Sequence, residues 1–360
     1  MREQIDAARV LLREAIARRV FPAAVAEVGS REAVLWREAF GTLTFERSAS
    51  ATAEQTIFDL ASLTKPIATT SVILQLIATH ALSVETRVAE LFPEWSGSER
   101  QAATVLDLLE HSSGLPARLI DAPPVTRREF EHDICALPLE AVPRTRSIYS
   151  DLDFILLGFL VEDRGQLSLA QQFVAILDRL TTVIAAAGED WLAFGVPATA
   201  RNRAAPTIAM AEDLRRGQTL MGEVHDNYAA ALGGIAGHAG LFGTAGGVGR
   251  FARSVLRAAL DDRTIPSPLT PALVHLATRK SRVPGSSRAL GWDTMLPTSS
   301  CGTQLSPAAF GHVGFTGTSL WIDPVLDRYF VLLTNRACGG GTSEETQTVR
   351  RQFHDLMATL

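Results

Sequence analysis

The stretch FDLASLTKPIATTSVILQL, Phe58 to Leu76, carries a serine and a lysine three residues apart, with a proline directly after the lysine. Proline lacks an N–H and clashes with the carbonyl four residues back, so a helix tolerates it in the first turn only. For Pro66 that carbonyl belongs to Ser62. We therefore predict a helix from Ser62 to about Thr79, with Lys65 one turn along on nearly the same face.

A serine and a lysine placed in this way can form a catalytic pair. The helix N-terminus favours developing negative charge, and a serine becomes a good nucleophile when a neighbour takes its proton. Lysine can do so if burial or nearby cations lower its pKa. The apolar residues further along predict a buried helix that would desolvate Lys65. The simpler alternative makes Ser62 an N-cap and Lys65 a solvated residue, since an SxxK match alone is only a hypothesis.

The pattern on both sides of this helix predicts the fold class. Residues 3–19 have the spacing of an amphipathic helix, and PAAVAEVGSREAVLWREAFG (22–41) that of a β-hairpin. The middle is mostly helical or irregular, with helices predicted at 104–110, 152–164, 168–178, 245–260 and 270–278. Four short strand patterns and a final helix follow: RALGWDTM (288–295), AAFGHVGF (308–315), TSLWIDP (318–324), RYFVLLTN (328–335) and 343–360.

This order predicts an α/β plus α architecture. An antiparallel sheet built from both ends of the chain and flanked by terminal helices would carry an inserted all-α domain. The boundaries would be 1–60 and 290–360 for the discontinuous α/β domain and 61–289 for the mainly helical domain. The active site would then lie in the cleft between them.

Composition excludes several classes of function. The 360 residues are 46% hydrophobic and 20% charged, enough for one large domain or two, and the net charge of −5 gives no basic surface for nucleic acid. Three cysteines without a CxxC spacing predict a reduced chain or at most one disulfide. The sequence has no HExxH, no GxSxG and no GxGxxG after a strand, so we predict neither a metal nor a cofactor.

The N-terminal segment has no secretory signal, because charges interrupt its apolar residues. No apolar run reaches the roughly 18 residues of a membrane span. We therefore expect a soluble, cytoplasmic protein, or a periplasmic one if a leader has been removed.

Two further segments carry candidate site residues. Tyr149 precedes the apolar helix LDFILLGFLVE, which Ser150 or Asp151 would cap, and from there it could relay a proton to a leaving group. In FGHVGFTGTSLWIDP (310–324), glycines within a predicted strand suggest close approach of a ligand or another backbone. Taken separately, a half-buried tyrosine and a buried strand with an incidental histidine are the simpler interpretations.

The other histidines have weaker signals. His111 is interpreted as a loop anchor, although it could approach the site. His238 lies in a glycine-rich loop with no evident partner. His225-Asp226 looks like part of a metal site, but no second ligand stands at metal spacing.

Together, SLTK (62–65), YSD (149–151) and HVG (312–314) resemble the motifs of the serine β-lactamase and penicillin-binding-protein superfamily. The class C-like branch, with the related family VIII carboxylesterases, is the most similar. There the motifs are SxxK, YxN or a variant, and KTG or HxG. LLEHSSGLP (108–116) and AGLFGTAGGVGRFAR (239–253) also resemble segments of that family, and the likeness covers about residues 5–357.

This resemblance implies a role for each residue. Ser62 would be the nucleophile, Lys65 its proton acceptor or electrostatic partner, and Tyr149 the general base that later protonates the leaving group. The N–H groups of Ser62 and Phe315 would form the oxyanion hole. His312 and Gly314 would line the strand that binds the acyl group.

The sequence departs from the family pattern at two motifs. Asp151 replaces asparagine, so an ionised carboxylate that cannot donate to a substrate carbonyl would stabilise a charged Lys65 and oppose a Tyr149 phenolate. His312 and Val313 replace the lysine and threonine of KTG and should hold a substrate carboxylate less well.

These changes favour a small-molecule ester or amide as substrate over a lactam. The predicted function is therefore a serine hydrolase with esterase or amidase activity. A β-lactamase or a D-Ala-D-Ala peptidase of the same fold is the alternative. A penicillin-recognising sensor that is acylated without turnover is the alternative from another functional class.

Overall fold

The computed structural model describes residues 2–119, 124–181 and 190–360. The α-helices are α1 (Arg2–Ala17), α2 (Ser71–Ala78), α3 (Val105–Leu109), α4 (Arg127–Ala136), α5 (Asp151–Gly165), α6 (Leu169–Thr181), α7 (Asn227–Ala231), α8 (Ala245–Ala259), α9 (Pro271–Thr278) and α10 (Ser343–Met357). The strands are β1 (Ala23–Gly29), β2 (Val34–Gly41), β3 (Phe58–Asp59), β4 (Leu192–Phe194), β5 (Thr207–Ile208), β6 (Thr219–Leu220), β7 (Leu241–Gly243), β8 (Asp293–Thr294), β9 (Phe310–Val313), β10 (Ser319–Asp323) and β11 (Arg328–Thr334).

Strands from both ends of the chain form one antiparallel sheet in the order β2-β1-β11-β10-β9-β8. The N-terminal hairpin joins the C-terminal meander through β1 and β11, where Ala24 pairs with Thr334 and Gly29 with Tyr329. The predicted sheet, its hairpin and its four late strands are therefore confirmed.

Helices cover both faces of this sheet. Along β1, Ala24 and Ala26 belong to the hydrophobic cluster under α1 and α10, whereas Ala23 and Val25 belong to the cluster that includes residues of α8. Side chains alternate between the two faces of a strand, so every residue of β1 is buried. α8 falls within the predicted helical segment 61–289, but it packs on the sheet. The apolar side chains on the second face of the sheet are buried by this contact.

The predicted helices are all present, and the structure adds elements that the sequence pattern does not reveal. The additions are α4, α7 and two small sheets, in the orders β3-β7-β4 and β5-β6. α4 (RREFEHDICA) is largely polar, so its apolar face is only a few residues wide. The small sheets use strands of two or three residues, too short to show an alternating pattern.

The segment that carries SLTK is one helical run that changes its winding twice. Ala61–Leu63 form a 3₁₀ turn, Lys65–Thr70 a π-helical turn, and α2 follows. Pro66 lies at the start of the π-helical turn, so the run begins where the proline predicts. By length and composition 61–78 could span a membrane, but 78% of it is buried inside the protein, as in a core helix.

Candidate active site

Ser62 follows a residue held in an unusual backbone conformation. Ala61 is buried with a φ of 47°, in the left-handed region that non-glycine residues rarely adopt. Its N–H donates to Asp59 Oδ1 at 2.8 Å, and Asp59 Oδ2 accepts from the N–H of His225 at 2.6 Å. Burial raises the pKa of Asp59 to about 6 despite these two hydrogen bonds. The turn that presents Ser62 is thus fixed by a buried carboxyl group.

Lys65 lies directly beneath the serine and is completely buried. Its Nζ donates to Ser62 Oγ at 3.0 Å and to Asp151 Oδ1 at 2.8 Å, and it is 3.4 Å from the carbonyl oxygen of His238. The structure therefore places the serine, the lysine and the aspartate in direct contact.

The charge state of Lys65 differs from the expectation of a lowered pKa. Burial lowers the pKa of Lys65, but the Asp151 carboxylate and the Tyr149 phenol raise it by more, so it lies above the usual lysine value. Burial likewise raises the pKa of Asp151, but the charge of Lys65 and other nearby groups lower it by more. The pair is an ammonium–carboxylate ion pair, as predicted from the aspartate in YSD.

Tyr149 is held above this pair by the start of α5. Ser150 caps the helix by accepting from the N–H of Leu152 at 3.2 Å, and its hydroxyl donates to the Pro116 carbonyl at 2.6 Å. The Tyr149 ring centre is 4.8 Å from Lys65 Nζ and 4.8 Å from the guanidinium carbon of Arg288. Two cations therefore face the ring that the sequence predicts to relay a proton.

The end of β9 forms the opposite wall. At Gly314 an added Cβ would lie 2.5 Å from the Leu60 carbonyl oxygen, so only glycine lets the two backbones approach this closely. His312 Nδ1 donates to the carbonyl of Val313 at 2.8 Å, and burial with the nearby Arg288 holds the pKa of His312 well below its usual range. The imidazole is thus neutral, with its lone pair on Nε2.

Two backbone N–H groups near the serine have no acceptor. In the ranges that the structure describes, neither the N–H of Ser62 nor that of Phe315 donates a hydrogen bond. One belongs to the helix start and the other directly follows HVG, as the sequence predicts for an oxyanion hole. Both are available to a ligand oxygen beside Ser62.

A cavity of about 280 Å³ opens beside Ser62 and is rich in arginine. We call it the arginine cavity, defined by Arg288, Arg336 and Arg350, with Asp293 as its one acidic residue. Arg336 donates to the Phe315 carbonyl, and Arg350 donates to the carbonyls of Gly314 and Thr318 at 2.7 and 2.9 Å. Among the described residues none of the three arginines has an ion-pair partner.

The unpaired charges in this cavity repel one another. Burial and the neighbouring Arg336 lower the pKa of Arg350 to about 9, and burial also lowers the pKa of Arg336. An anion placed between these guanidinium groups would relieve that cost. Sequence reasoning missed all three arginines because they lie on separate segments that share no motif.

A second cavity, of about 340 Å³, lies on the other side of Ser62. We call it the acidic cavity, defined by Asp151, Glu212, Asp226 and Arg118, with His225, His238 and Phe315 also in its lining. Ser62, Tyr149 and Phe315 line both cavities, so the serine stands where the two meet.

A charge network fixes the wall of the acidic cavity. Arg118 donates to Asp151 Oδ2 at 2.9 Å and to Asp226 Oδ2 at 3.1 Å. His238 Nε2 is 2.7 Å from Asp226 Oδ1, which supplies the partner that the sequence did not reveal. Asp226 therefore contacts both a histidine and an arginine. Elsewhere in the same wall, the ring of His225 stacks on that of Phe315, with ring centres 5.5 Å apart.

His111 is an anchor, as predicted, and it anchors the tyrosine motif. Its carbonyl accepts from the N–H of Ile148 at 2.9 Å, and its Nδ1 accepts from the N–H of Ser150 at 3.1 Å. The ring centre lies 4.7 Å from that of Tyr149. Asp153 Oδ2 also lies 3.2 Å from His111 Nδ1, and burial raises the pKa of Asp153 well above its usual range.

A sheet covered by terminal helices carries a serine–lysine pair beside the end of its inner strand β9, and comparison with known proteins shows the class to which this arrangement belongs. The β-lactamase family model matches residues 8–354. A putative D-alanyl-D-alanine carboxypeptidase of Escherichia coli (strain K12) is 30% identical over 321 residues, which are 82% of this chain and 72% of that protein.

Solved structures of low sequence identity share the fold. EstCE1, described as a hydrolase with promiscuous acyltransferase activity, has a TM-score of 0.75 at 18% identity and covers 98% of this chain and 99% of its own. A class C β-lactamase of Rhodobacter sphaeroides has a TM-score of 0.73 at 17% identity, with the same coverage. The chain belongs to the β-lactamase family, whose members are serine hydrolases. The predicted resemblance and fold class are confirmed.

Proposed function

We propose that this protein hydrolyses small esters or amides through an acyl-enzyme on Ser62. The observation that carries the proposal is the contact of Ser62 Oγ with the buried Lys65 ammonium, beside two N–H groups that have no acceptor. The N–H groups of Ser62 and Phe315 would bind the oxyanion that develops during attack, as preorganised donors do in acyl transfer.

The proton route follows from the charge of Lys65. A lysine held as an ammonium has no lone pair to accept the Ser62 proton, so Tyr149 takes it, and the Lys65 and Arg288 charges stabilise the phenolate. After attack, Tyr149 returns the proton to the leaving group and then activates water for deacylation. Lys65 thereby acts as an electrostatic partner.

The direct test is a substrate panel read by rate and by intact mass. We expect turnover of short-chain p-nitrophenyl esters and, on rapid quenching, an acyl adduct on the peptide that contains Ser62. Benzylpenicillin, nitrocefin and D-Ala-D-Ala peptides complete the panel. A long-lived penicillin adduct without turnover of any ester, amide or lactam would instead identify a sensor, and no adduct with any compound would contradict both functions.

A second candidate activity is carboxypeptidase-like cleavage of substrates that end in a carboxylate. The arginine cavity favours it, because three unpaired guanidinium groups beside Ser62 suit an anion. Weak carboxylate binding is expected from His312 and Val313 alone. The three arginines lie outside that motif and add positive charge that the motif does not show. The Escherichia coli relative, named a putative D-alanyl-D-alanine carboxypeptidase, agrees with this activity.

Replacing Arg288 separates the two activities. Arg288→Gln removes a cation that has no ion pair within the described chain, so kcat/KM for a carboxylate-bearing substrate should fall about 10- to 100-fold. A neutral ester should lose clearly less, because it loses only the effect of Arg288 on the Tyr149 phenolate. The exposed Arg282→Gln, outside both cavities, is the matched control. Equal losses for both substrates would show that Arg288 acts on Tyr149 and not on a substrate carboxylate.

His111 is expected to position Tyr149 without touching the substrate. His111→Asn keeps an acceptor for the Ser150 N–H and tolerates the φ of 57°, whereas His111→Ala does neither. We expect alanine to lower ester kcat by about 10- to 100-fold through misplacement of Tyr149, and asparagine to stay within about 3-fold of wild type. Stopped-flow acylation rates measure this, and equal losses in both variants would contradict the anchoring role.

A further inference from the structure

The two N–H groups near the Ser62 hydroxyl come from different parts of the chain, and both parts are bonded to Asp59. The Ser62 N–H belongs to the helical run that follows β3, and the Phe315 N–H to the turn that follows β9. Donors for an oxyanion accelerate acyl transfer only when they are preorganised around one point. Some part of the fold therefore has to keep these two segments at a fixed spacing.

The carboxylate of Asp59 holds the Ser62 side. Its Oδ1 accepts from the N–H of Ala61 at 2.8 Å, and Ala61 has a φ of 47°. A non-glycine residue keeps such a left-handed conformation only where the surrounding contacts enforce it. Ser62 is the next residue, so the direction of its N–H follows from the conformation of Ala61.

Asp59 also holds the Phe315 side, through its main chain and its second carboxylate oxygen. The Asp59 carbonyl accepts from the hydroxyl of Thr316 at 2.7 Å, and Thr316 directly follows Phe315. Asp59 Oδ2 accepts from the N–H of His225 at 2.6 Å, and the ring of His225 stacks on that of Phe315 with the two planes 19° apart. One buried residue is thus bonded to both sides of the predicted oxyanion hole.

Only the ionised form of Asp59 keeps both carboxylate contacts at full strength. A carboxylate accepts through both oxygens, whereas a protonated carboxyl group turns one of them into a donor. Whichever oxygen takes the proton, the N–H of Ala61 or that of His225 then faces a weaker acceptor. Burial raises the pKa of Asp59 to about 6, so this change falls within the pH range of ordinary enzyme assays.

The groups around Asp59 make its ionisation depend on these two hydrogen bonds. After burial, the strongest influences on its pKa are the N–H groups of His225 and Ala61, which lower it; Asp226 raises it and Arg215 lowers it by less. Strand β7 and the turn 314–318 have no titratable side chain. Further ionisable side chains on neighbouring segments are Lys65, Arg203, Asp213, the neutral His225 and Arg336. Ionisation of Asp59 and its two N–H bonds therefore favour one another.

We propose that Asp59 is a positioning residue that holds the N–H groups of Ser62 and Phe315 at the spacing of a working oxyanion hole, and that it does so only as a carboxylate. The protein then loses ester activity in mild acid through a group that does not touch the substrate. This rests on the proposed acyl-serine function and adds to it the residue that assembles the oxyanion hole.

The test compares Asp59→Asn with the wild type from about pH 5 to about pH 8 on a neutral p-nitrophenyl ester, which has no titrating group of its own. Asparagine has the same size but a single acceptor oxygen, so it stays in the weakened state at every pH. Wild-type kcat should fall below about pH 6 while KM stays constant. At about pH 8 the kcat of the variant should be about 10- to 100-fold lower, because displaced donors stabilise the oxyanion less, and it should show no acid limb.

Two further variants separate this role from general destabilisation. Thr316→Val removes the link to the Asp59 carbonyl but keeps the carboxylate, so kcat should fall about 3- to 10-fold with the acid limb in place. Glu27→Gln neutralises another buried carboxyl group whose pKa burial raises, in β1 and outside both cavities, and should leave the acid limb where it is.

Two outcomes overturn the proposal and leave the hydrolase intact, provided that turnover still requires Ser62. One is an acid limb that persists in Asp59→Asn. The other is an Asp59→Asn protein that is as fast as the wild type or faster at about pH 8, since the charge of Asp59 would then oppose the oxyanion rather than assemble its site.

Amide NMR spectra test the positioning without turnover. The N–H signals of Ser62 and Phe315 should move with those of Ala61 and His225 as pH changes, with one midpoint near pH 6, and should stay fixed in Asp59→Asn. This result supports the role of Asp59 even if no ester is hydrolysed, an outcome that would contradict the proposed function alone. Signals of Ser62 or Phe315 that do not follow those of Ala61 and His225 overturn the positioning role.

Discussion

Replacing Ser62 by alanine is expected to lower kcat/KM for short-chain p-nitrophenyl esters by about 10⁴-fold or more. The hydroxyl is the group that forms the covalent bond in the proposed mechanism, so only binding and the two N–H groups would remain to accelerate hydrolysis. Intact-mass spectra should show no acyl adduct on the variant. Steady-state rates with purified protein measure the loss.

The matched control for this variant is Ser71→Ala, which removes a buried hydroxyl from the same helical run at the first residue of α2. It should keep ester activity within about 3-fold of wild type. Unchanged ester turnover in Ser62→Ala would show that another group performs the chemistry, and the proposed function would have to be abandoned.

Replacing Lys65 by methionine is expected to lower ester kcat by about 10³-fold, the scale of a preorganised charge that stabilises the transition state. It should also lower the free energy of unfolding by about 3 kcal/mol, because Asp151, whose side chain is only 14% exposed, loses the ammonium 2.8 Å away. Arg118 also contacts Asp151 and would still partly neutralise it, so we expect the loss of unfolding free energy to be no larger than this. Urea unfolding and ester kinetics on the same preparation give both numbers.

The double variant Lys65→Met/Asp151→Asn distinguishes stability from catalysis. Removing both charges should restore part of the lost stability, because the carboxylate that lost its ammonium partner is then neutral, while ester activity stays low. Recovery of activity together with stability would mean that Lys65 matters only for packing.

The single variant Asp151→Asn addresses the proton route through pH. With the carboxylate gone, the pKa-lowering effect of burial on Lys65 is opposed only by Tyr149, so the ammonium should lose its proton at lower pH. If the charged form is required, the alkaline limb of the pH–rate profile moves to lower pH. A gain in rate near neutral pH, with the alkaline limb in place, would instead identify a neutral Lys65 as the base.

The ion pair of Lys65 and Asp151 should make the stability of the fold depend on pH at both the alkaline and the acidic end. The folded-state pKa of Lys65 lies above its unfolded value, so its contribution is complete below that unfolded value and is lost as pH rises through the folded one. The folded-state pKa of Asp151 is lowered, so its contribution is present above the unfolded value and disappears as pH falls through the folded one. The pair should therefore stabilise the fold throughout the neutral range.

Local patterns in the sequence were sufficient for much of this fold and for the centre of the site. Pro66 indicated where the helix begins, and three short motifs marked Ser62, Tyr149 and Gly314 as neighbours. Each of these signals lies within a few consecutive residues, and the chain order of the motifs matched a known family.

What the sequence could not reveal depends on contacts between distant segments. The arginine cavity joins a loop before β8, the loop after β11 and the helix α10, and no pattern within one segment relates Arg288 to Arg350. The raised pKa of Lys65 follows from the 2.8 Å distance between its ammonium and the Asp151 carboxylate, and the sequence gives the residue types but not that distance. From the sequence, Asp226 suggests only part of a metal site. Its actual partner His238 is twelve residues further along, and the loop between them has no helical or strand spacing that would indicate the contact.

The π-helical turn Lys65–Thr70 has a consequence for how Ser62 is aimed. Compared with an α-helix, such a turn accommodates one additional residue, and one residue corresponds to about 100° of rotation about the axis. If residues 61–70 formed a regular α-helix and α2 kept its place in the core, Ser62 would be rotated about the helix axis by about a quarter-turn, away from Tyr149 and β9. The direction of the hydroxyl is thus set by a register choice inside the helix, and substitutions along 65–70 could inactivate the protein with every proposed site residue still present.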